Sequence, residues 1–337
     1  MTPKRCLGFL LLLAILHATS TLAADSPTER HAGFARLSVA NPLGGAAIQT
    51  FLWYPTTAAS SVVKMGPFEI DVAMNGEPEN GAHPLVVISH GTGGSNLDQR
   101  DTAVYLAGRG FVVATLTHPG DNFQDTSGYG KEAQLFGRPR HIKAVIDAAL
   151  ADARFGKIVD AARIGVAGMS AGGYTALVLS GGKPDFSRFA AYCREHPEDP
   201  WVCKRDLEIT TPPALSDWAL VQEARIKAAV LMAPALGFAF DRESLTAVKL
   251  PIRMYRAEAD EVVRYPNNAE YLKEILPRAP EYIVLPGAGH YVFLAPCPPV
   301  LAQQAREICV DAPGVDRAAL HARLNAEIED FFRRTLR

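Results

Sequence analysis

The sequence predicts an α/β fold with a mostly parallel central sheet flanked by helices and a small lid-like insertion. Three observations lead there. Six short runs are apolar almost throughout: Leu85–Ser89, Phe111–Leu116, Arg163–Gly168, Ala228–Ala233, Ile252–Ala257 and Tyr282–Pro286. Strands that are apolar on both faces and alternate with helical stretches belong to a parallel sheet covered on both sides. The chain then closes on Leu320, Leu324, Ile328, Phe331 and Phe332, spaced as one face of a helix, with Arg323, Glu327 and Glu329 between them.

Ahead of the parallel part, Ala35–Ala40 and Ala47–Tyr54 read as a hairpin, because Asn41-Pro42-Leu43-Gly44-Gly45 supplies the reversal. Phe68, Ile70, Val72 and Met74 alternate with Glu69, Asp71 and Ala73, the period of a strand with one wet face, so an antiparallel edge is expected there. Between the fourth and third runs from the C-terminal end lies a long segment, about 184–225, carrying Trp201, Trp218 and the prolines Pro197, Pro200, Pro212 and Pro213. It is too long for a simple connection. A lid over a substrate pocket is the functional reading, and an insertion packed on the body is the alternative. No repeat or linker divides the rest, so residues 24–337 are read as one domain.

The N-terminus has the three parts of a secretory leader: Lys4 and Arg5, an apolar run from Cys6 to Leu16, and a small-residue end at Thr21-Leu22-Ala23. The run is too short to span a bilayer, which needs about 20 residues, so cleavage after Ala23 and export to the periplasm or beyond are expected, without a stable membrane span. Losing Lys4 and Arg5 makes the formal charge of −2 more negative, and nothing suggests a nucleic-acid partner. Without Cys6, four of the five cysteines remain, an even number suited to an oxidising compartment. Three pairings are possible, and the two local ones, Cys193 with Cys203 and Cys297 with Cys309, are favoured because each closes a short proline-containing segment. No C-x-x-C spacing or paired histidines lie near them, which argues against a metal site.

Gly168-Met169-Ser170-Ala171-Gly172 follows the run Arg163–Gly168 and precedes a helix-like stretch. This is G-x-S-x-G in the strand–turn–helix context that lifts a serine above the sheet as a nucleophile. Serine is weakly nucleophilic at neutral pH and needs a base, and the oxyanion formed by its attack needs two preorganised donors. His90-Gly91-Thr92-Gly93-Gly94, directly after Leu85–Ser89, supplies a glycine-rich turn without the Lys-Ser/Thr of a phosphate loop. The backbone N–H groups of Thr92 and Ala171 are the expected oxyanion donors, with His90 structural.

With the chain order Ser, acid, His, the base falls after the last strand, where Gly287-Ala288-Gly289-His290 meets the requirement. Of the nine histidines, His31, His83, His118, His141 and His196 lie outside that window. After Ile252–Ala257 three carboxylates compete, Glu258, Asp260 and Glu261. Asp260 is preferred because a short carboxylate just past the strand end suits an imidazole Nδ1–H. His118-Pro119-Gly120-Asp121-Asn122 is either a pocket-shaping loop or a turn held by local Asp121 hydrogen bonds.

Leu52-Trp53-Tyr54-Pro55, His90 to Gly94, His118 to Asp121, Gly168 to Gly172, Asp260 and Gly289-His290 together resemble the secreted bacterial proteins described as predicted dienelactone hydrolases, related to the platelet-activating-factor acetylhydrolases. The resemblance implies an α/β-hydrolase fold, a Ser170-Asp260-His290 triad, no cofactor, and esters of short or modified acyl chains or lactones as small-molecule substrates. It also supports Thr92 and Ala171 as oxyanion donors. One departure matters: the well-studied dienelactone hydrolases use a cysteine nucleophile, whereas Ser170 stands at this elbow. The expected activity is carboxylic-ester hydrolysis through an acyl-enzyme. A lipase or polyester hydrolase, a serine peptidase or amidase, and a non-catalytic binding protein on the same fold are the alternatives.

Overall fold

The computed structural model describes residues 29–203 and 221–337. The expected leader and residues 204–220 of the insertion, Trp218 among them, lie outside the described residues. The strands are β1 (His31–Val39), β2 (Ile48–Thr56), β3 (Ser61–Met65), β4 (Phe68–Met74), β5 (His83–Ser89), β6 (Val112–Thr117), β7 (Val159–Met169), β8 (Ile226–Met232), β9 (Ile252–Ala257) and β10 (Glu281–Leu285). They form one sheet in the order β10-β9-β8-β7-β5-β6-β2-β1-β4-β3. The helices are α1 (Arg100–Ala107), α2 (Arg138–Ala151), α3 (Ala171–Leu179), α4 (Phe189–Glu195), α5 (Ala269–Ile275), α6 (Pro299–Gln304), α7 (Arg306–Cys309) and α8 (Arg317–Thr335).

The six apolar runs become the six neighbouring parallel strands, β10 through β6. Their alternation splits the interior into two cores. Leu85 and Val87 of β5, with Ile164 and Val166 of β7, face α2, α3 and α5, whereas Val86, Ile88, Ala167 and Met169 face α1 and α8. Each strand thus fills both layers, which is why its sequence shows no polar period. Helix α8 seals the second core with Leu324, Ile328, Phe331 and Phe332, all buried, each side chain contributing about 1.5–3 kcal/mol by leaving water. Asp316 caps it, its carboxylate accepting from the Ala319 N–H at 3.0 Å, and Arg333 and Arg334 fall in its last turn, where the helix dipole favours cations.

The opening hairpin is β1 and β2, antiparallel along their full length, and β2 joins the parallel block antiparallel to β6. The edge is antiparallel as expected, with one strand more. Strand β4 is not the outermost: it touches β1 in parallel at two positions and is covered on its other side by β3, antiparallel. The sequence reading omits β3 because Ser61-Val62-Val63-Lys64-Met65 is wet, with Val62 67% exposed. A short, lysine-bearing strand is a usual way to end a sheet.

The described part of the 184–225 segment divides in two. Phe186 and Tyr192 of the stretch leading into α4 are buried in the body, Tyr192 stacking on Phe238 at 4.7 Å between ring centroids. Beyond it, Cys193 pairs with Cys203, and Cys297 pairs with Cys309, the two local pairings. Among the described residues no helix is long and apolar enough to cross a membrane.

Candidate active site

The loops that leave the C-terminal ends of β5, β7, β9 and β10 converge on one cavity, the usual ligand position in such sheets. Ser170 sits between β7 and α3 at φ 55° and ψ −118°, a conformation costing a non-glycine residue about 1–3 kcal/mol. Its own N–H donates to the Met232 carbonyl at 2.9 Å, and its carbonyl accepts from Tyr174 and Ala235. The flanking glycines serve close approach: a Cβ at Gly168 would strike the Gly172 carbonyl, and one at Gly172 the Ser89 carbonyl. Helix α3 is thereby pressed against β5 and β7 with the serine at its N-terminus.

His290 begins a short 3-10 turn after β10. Its Nδ1 lies 2.8 Å from Asp260 Oδ2, and both side chains are almost wholly buried. Asp260 Oδ1 accepts from the N–H groups of Val262 and Val263 at 2.9 and 2.7 Å. A carboxylate only accepts, so Nδ1 carries the proton and Nε2 keeps its lone pair. The competing carboxylates are elsewhere: Glu258 accepts from the Gly287 N–H at 2.8 Å, and Glu261 is exposed. Ser170 and His290 both line the cavity.

Thr92 and Ala171 line the same cavity. A Cβ at Gly91 would lie 3.5 Å from that of Ser170, so the loop after β5 runs directly against Ser170. The N–H of Ala171 is the first of α3, where helix amides have no internal partner, and neither it nor the Thr92 N–H donates to a protein acceptor among the described residues.

Behind this loop lies a buried polar group that the sequence reading misses. Arg138 Nη2 donates to the carbonyls of His90 at 2.8 Å and Gly91 at 3.1 Å, and its guanidinium pairs with Asp121 at 3.3 Å, both side chains 1% exposed. Asp121 accepts from the Gly93 N–H at 3.1 Å and from Gln134 Nε2 at 2.6 Å, and Gln134 also donates to Thr92 Oγ1 at 2.9 Å. The 118–122 segment therefore neither lines the cavity nor makes only a local turn, because Asp121 reaches back 28 residues. His90 Nε2 accepts the His118 N–H at 3.1 Å, which leaves its Nδ1 to donate to the Gly91 carbonyl at 2.6 Å. Burial first, and then the neighbouring Arg138 charge, hold His90 and His118 well below the ordinary imidazole range. The same causes bring His141, 3.2 Å from His118, down to about 4. A hint was available: Arg138 and His141 are polar residues on a helix whose other inward positions are apolar.

The cavity measures about 790 Å³ and is largely apolar, with Met65, Phe68, Leu135 and Leu236 among its walls. Both disulfide-closed segments contribute: Trp201 and Val202 from one, Leu301 and Ile308 from the other. The part of the insertion next to Cys203 thus faces the site, while the part before it belongs to the core.

Residues 72–212 match the model of the dienelactone hydrolase family. Among solved structures, a ferulic acid esterase from Streptomyces cinnamoneus superposes with a TM-score of 0.61 at 19% identity, covering 94% of this chain and 92% of that one. A dienelactone hydrolase from Anabaena variabilis superposes with a TM-score of 0.50 at 16% identity, covering 90% and 99%. No curated protein sequence matches significantly.

Proposed function

Taking the α/β-hydrolase fold of this chain as the premise, we propose that it is an exported serine hydrolase that cleaves carboxylic esters through an acyl-enzyme. The carrying observation is the strained Ser170 opening into the same cavity as an imidazole whose Nδ1 is held by Asp260 at 2.8 Å. In this reading Ser170 Oγ attacks the acyl carbon while His290 Nε2 takes its proton. The carbonyl oxygen gains charge and accepts from the Thr92 and Ala171 N–H groups, each worth about 3–4 kcal/mol of barrier. Collapse breaks the C–O bond, His290 returns the proton to the leaving alcohol, and a water activated by His290 then hydrolyses the acyl-enzyme. Asp260 keeps the tautomer and stabilises the imidazolium.

The apolar walls and the volume of about 790 Å³ suit an acyl or aryl group larger than acetyl as well as the short esters and lactones expected from sequence. Two disulfides and the expected leader support an oxidising compartment. The test is hydrolysis of nitrophenyl esters from acetate to palmitate by the oxidised mature chain and by Ser170→Ala. Turnover by the parent that falls at least ~10³-fold in the variant is expected. Undiminished turnover in the variant, or faster cleavage of the matching anilide than of the ester, would overturn the reading.

A further inference from the structure

The buried polar group behind the 90–94 loop is oriented toward catalysis. Three consecutive residues of the loop are held by side chains from a single distant stretch: the Gly91 carbonyl by Arg138, Thr92 Oγ1 by Gln134, and the Gly93 N–H by Asp121. The Gly91 carbonyl also meets His90 Nδ1–H and the Gly94 N–H at 3.2 Å, so its oxygen is fully engaged with protein donors. In a trans peptide the carbonyl and the following N–H point in opposite directions. With the Gly91 oxygen fixed on the buried side, the Thr92 N–H of the same peptide is directed to the opposite side, where Ser170 lies. The next peptide is fixed in turn through the Gly93 N–H.

The π-helical turn Ala133–Gly137 immediately before α2 fits this arrangement. It presents Gln134 to the loop and leads directly into Arg138, the first residue of α2, and the Leu135 carbonyl in the turn accepts from Tyr174 Oη of α3 at 2.9 Å. One short turn thus braces both the oxyanion loop and the helix that carries Ala171. Such turns recur at functional sites. Stability alone is a weak reason for the buried ion pair, since well-packed apolar residues often replace one without loss. In Arg138 the Nη2 corner of the guanidinium donates to both carbonyls while its Nε edge lies 3.3 Å from Asp121, a spread that the single nitrogen of a lysine does not have.

We propose that Arg138, with Asp121 and Gln134, is a positioning device for the oxyanion hole, setting the plane of the Gly91–Thr92 peptide so that the Thr92 N–H is preorganised for the tetrahedral intermediate. This rests on the ester-hydrolase reading. The test compares Arg138→Lys and Gln134→Leu with the parent in two readouts: the split of kcat from KM on nitrophenyl butyrate, and the inhibition constant of an alkylboronic acid, whose adduct on Ser170 is tetrahedral. A folded Arg138→Lys is expected to lose about 100-fold in kcat with KM within about threefold, and Gln134→Leu about tenfold. The boronate should weaken by a similar factor in each. A folded variant that keeps kcat within about threefold, or that loses kcat with unchanged boronate affinity, overturns the proposal. Should Arg138→Lys fail to fold, Gln134→Leu decides by the same readouts. Ser170→Ala separates the two readings: if it remains active the hydrolase reading itself fails, and if it is inactive while both other variants keep full kcat, only the positioning proposal fails.

Discussion

The two arms that meet at Ser170 differ in how many buried side chains secure them. The 90–94 loop is tied by buried side chains 28 to 48 residues further along the chain, charged ones included. The His290 imidazole is held at Nδ1 by Asp260, itself backed by amides two and three residues beyond it, and the main chain of its turn meets His321, whose Nε2 lies 2.7 Å from the Val292 carbonyl oxygen. The turn is also preceded by Gly289, at which a Cβ would meet nothing within 4 Å. The difference matches what each arm must do. In the proposed mechanism the oxyanion donors work best when they need no reorganisation as charge develops, whereas His290 would serve the nucleophile, the leaving group and then a water.

The sharpest way to break this comparison is Asp260→Asn. With Asp260 removed as the acceptor for Nδ1–H, kcat should fall by about 10⁴-fold, while thermal stability changes by less than about 1 kcal/mol. An equal loss of stability would mean that the base arm is braced as firmly as the loop. Nitrophenyl-ester kinetics and a melting curve check both halves.

Acid sensitivity comes next in size and belongs to the loop side. His90, His118 and His141 have folded pKa values below the unfolded value of about 6.5. Their contribution is therefore fully present above that pH and is lost as pH falls towards the folded values. By pH 5 the loss for His141 is about 2 kcal/mol, with His90 and His118 adding in the same direction. Asp98, pushed up to about 6 chiefly by burial, runs the other way and relieves part of it on protonation. Melting temperature should drop between pH 7 and pH 5, and His141→Gln should flatten that slope. A slope unchanged by the substitution would remove the buried imidazoles as its cause.

The smallest expected effect concerns the tether after the base turn. Replacing Cys297 and Cys309 by serine opens a loop of 12-residue separation and should cost about 2–3 kcal/mol. Leu301 and Ile308 form cavity wall within that loop, so KM for long acyl esters should rise about two- to fivefold while kcat for acetate holds. Loss of acetate turnover would show that the tether also fixes His290.

Much of this was legible in the sequence because strong local signals carried it. The parallel strands announced themselves as runs apolar on both faces, Ser170 by its glycines and context, and His290 and Asp260 by their order after successive strands. The edge strand β3 escaped because a wet, unpaired edge has no apolar period to read. The bracing group escaped for another reason. Arg138, Gln134 and Asp121 interact with residues far away in sequence, and a charged residue on a helix reads as solvent-facing until the fold shows it 1% exposed. The turn composition of Pro119-Gly120-Asp121 leaves a local turn and a pocket-shaping loop equally open, whereas the partners of Asp121 are Gly93, Gln134 and Arg138.

The glycine packing at the elbow sets terms for anyone who would retune this molecule. Gly168, Gly172 and Gly173 are surrounded by main chain, where an added methyl group meets Ser89, Gly172 or Pro234, so a mutagenesis library gains nothing from those positions. Met65 and Phe68, by contrast, reach the cavity from the outer, antiparallel end of the sheet, and Leu301 and Ile308 from a tethered loop. Substrate range and catalytic machinery therefore sit on separable parts of the chain, and selection can explore the first without disturbing the second.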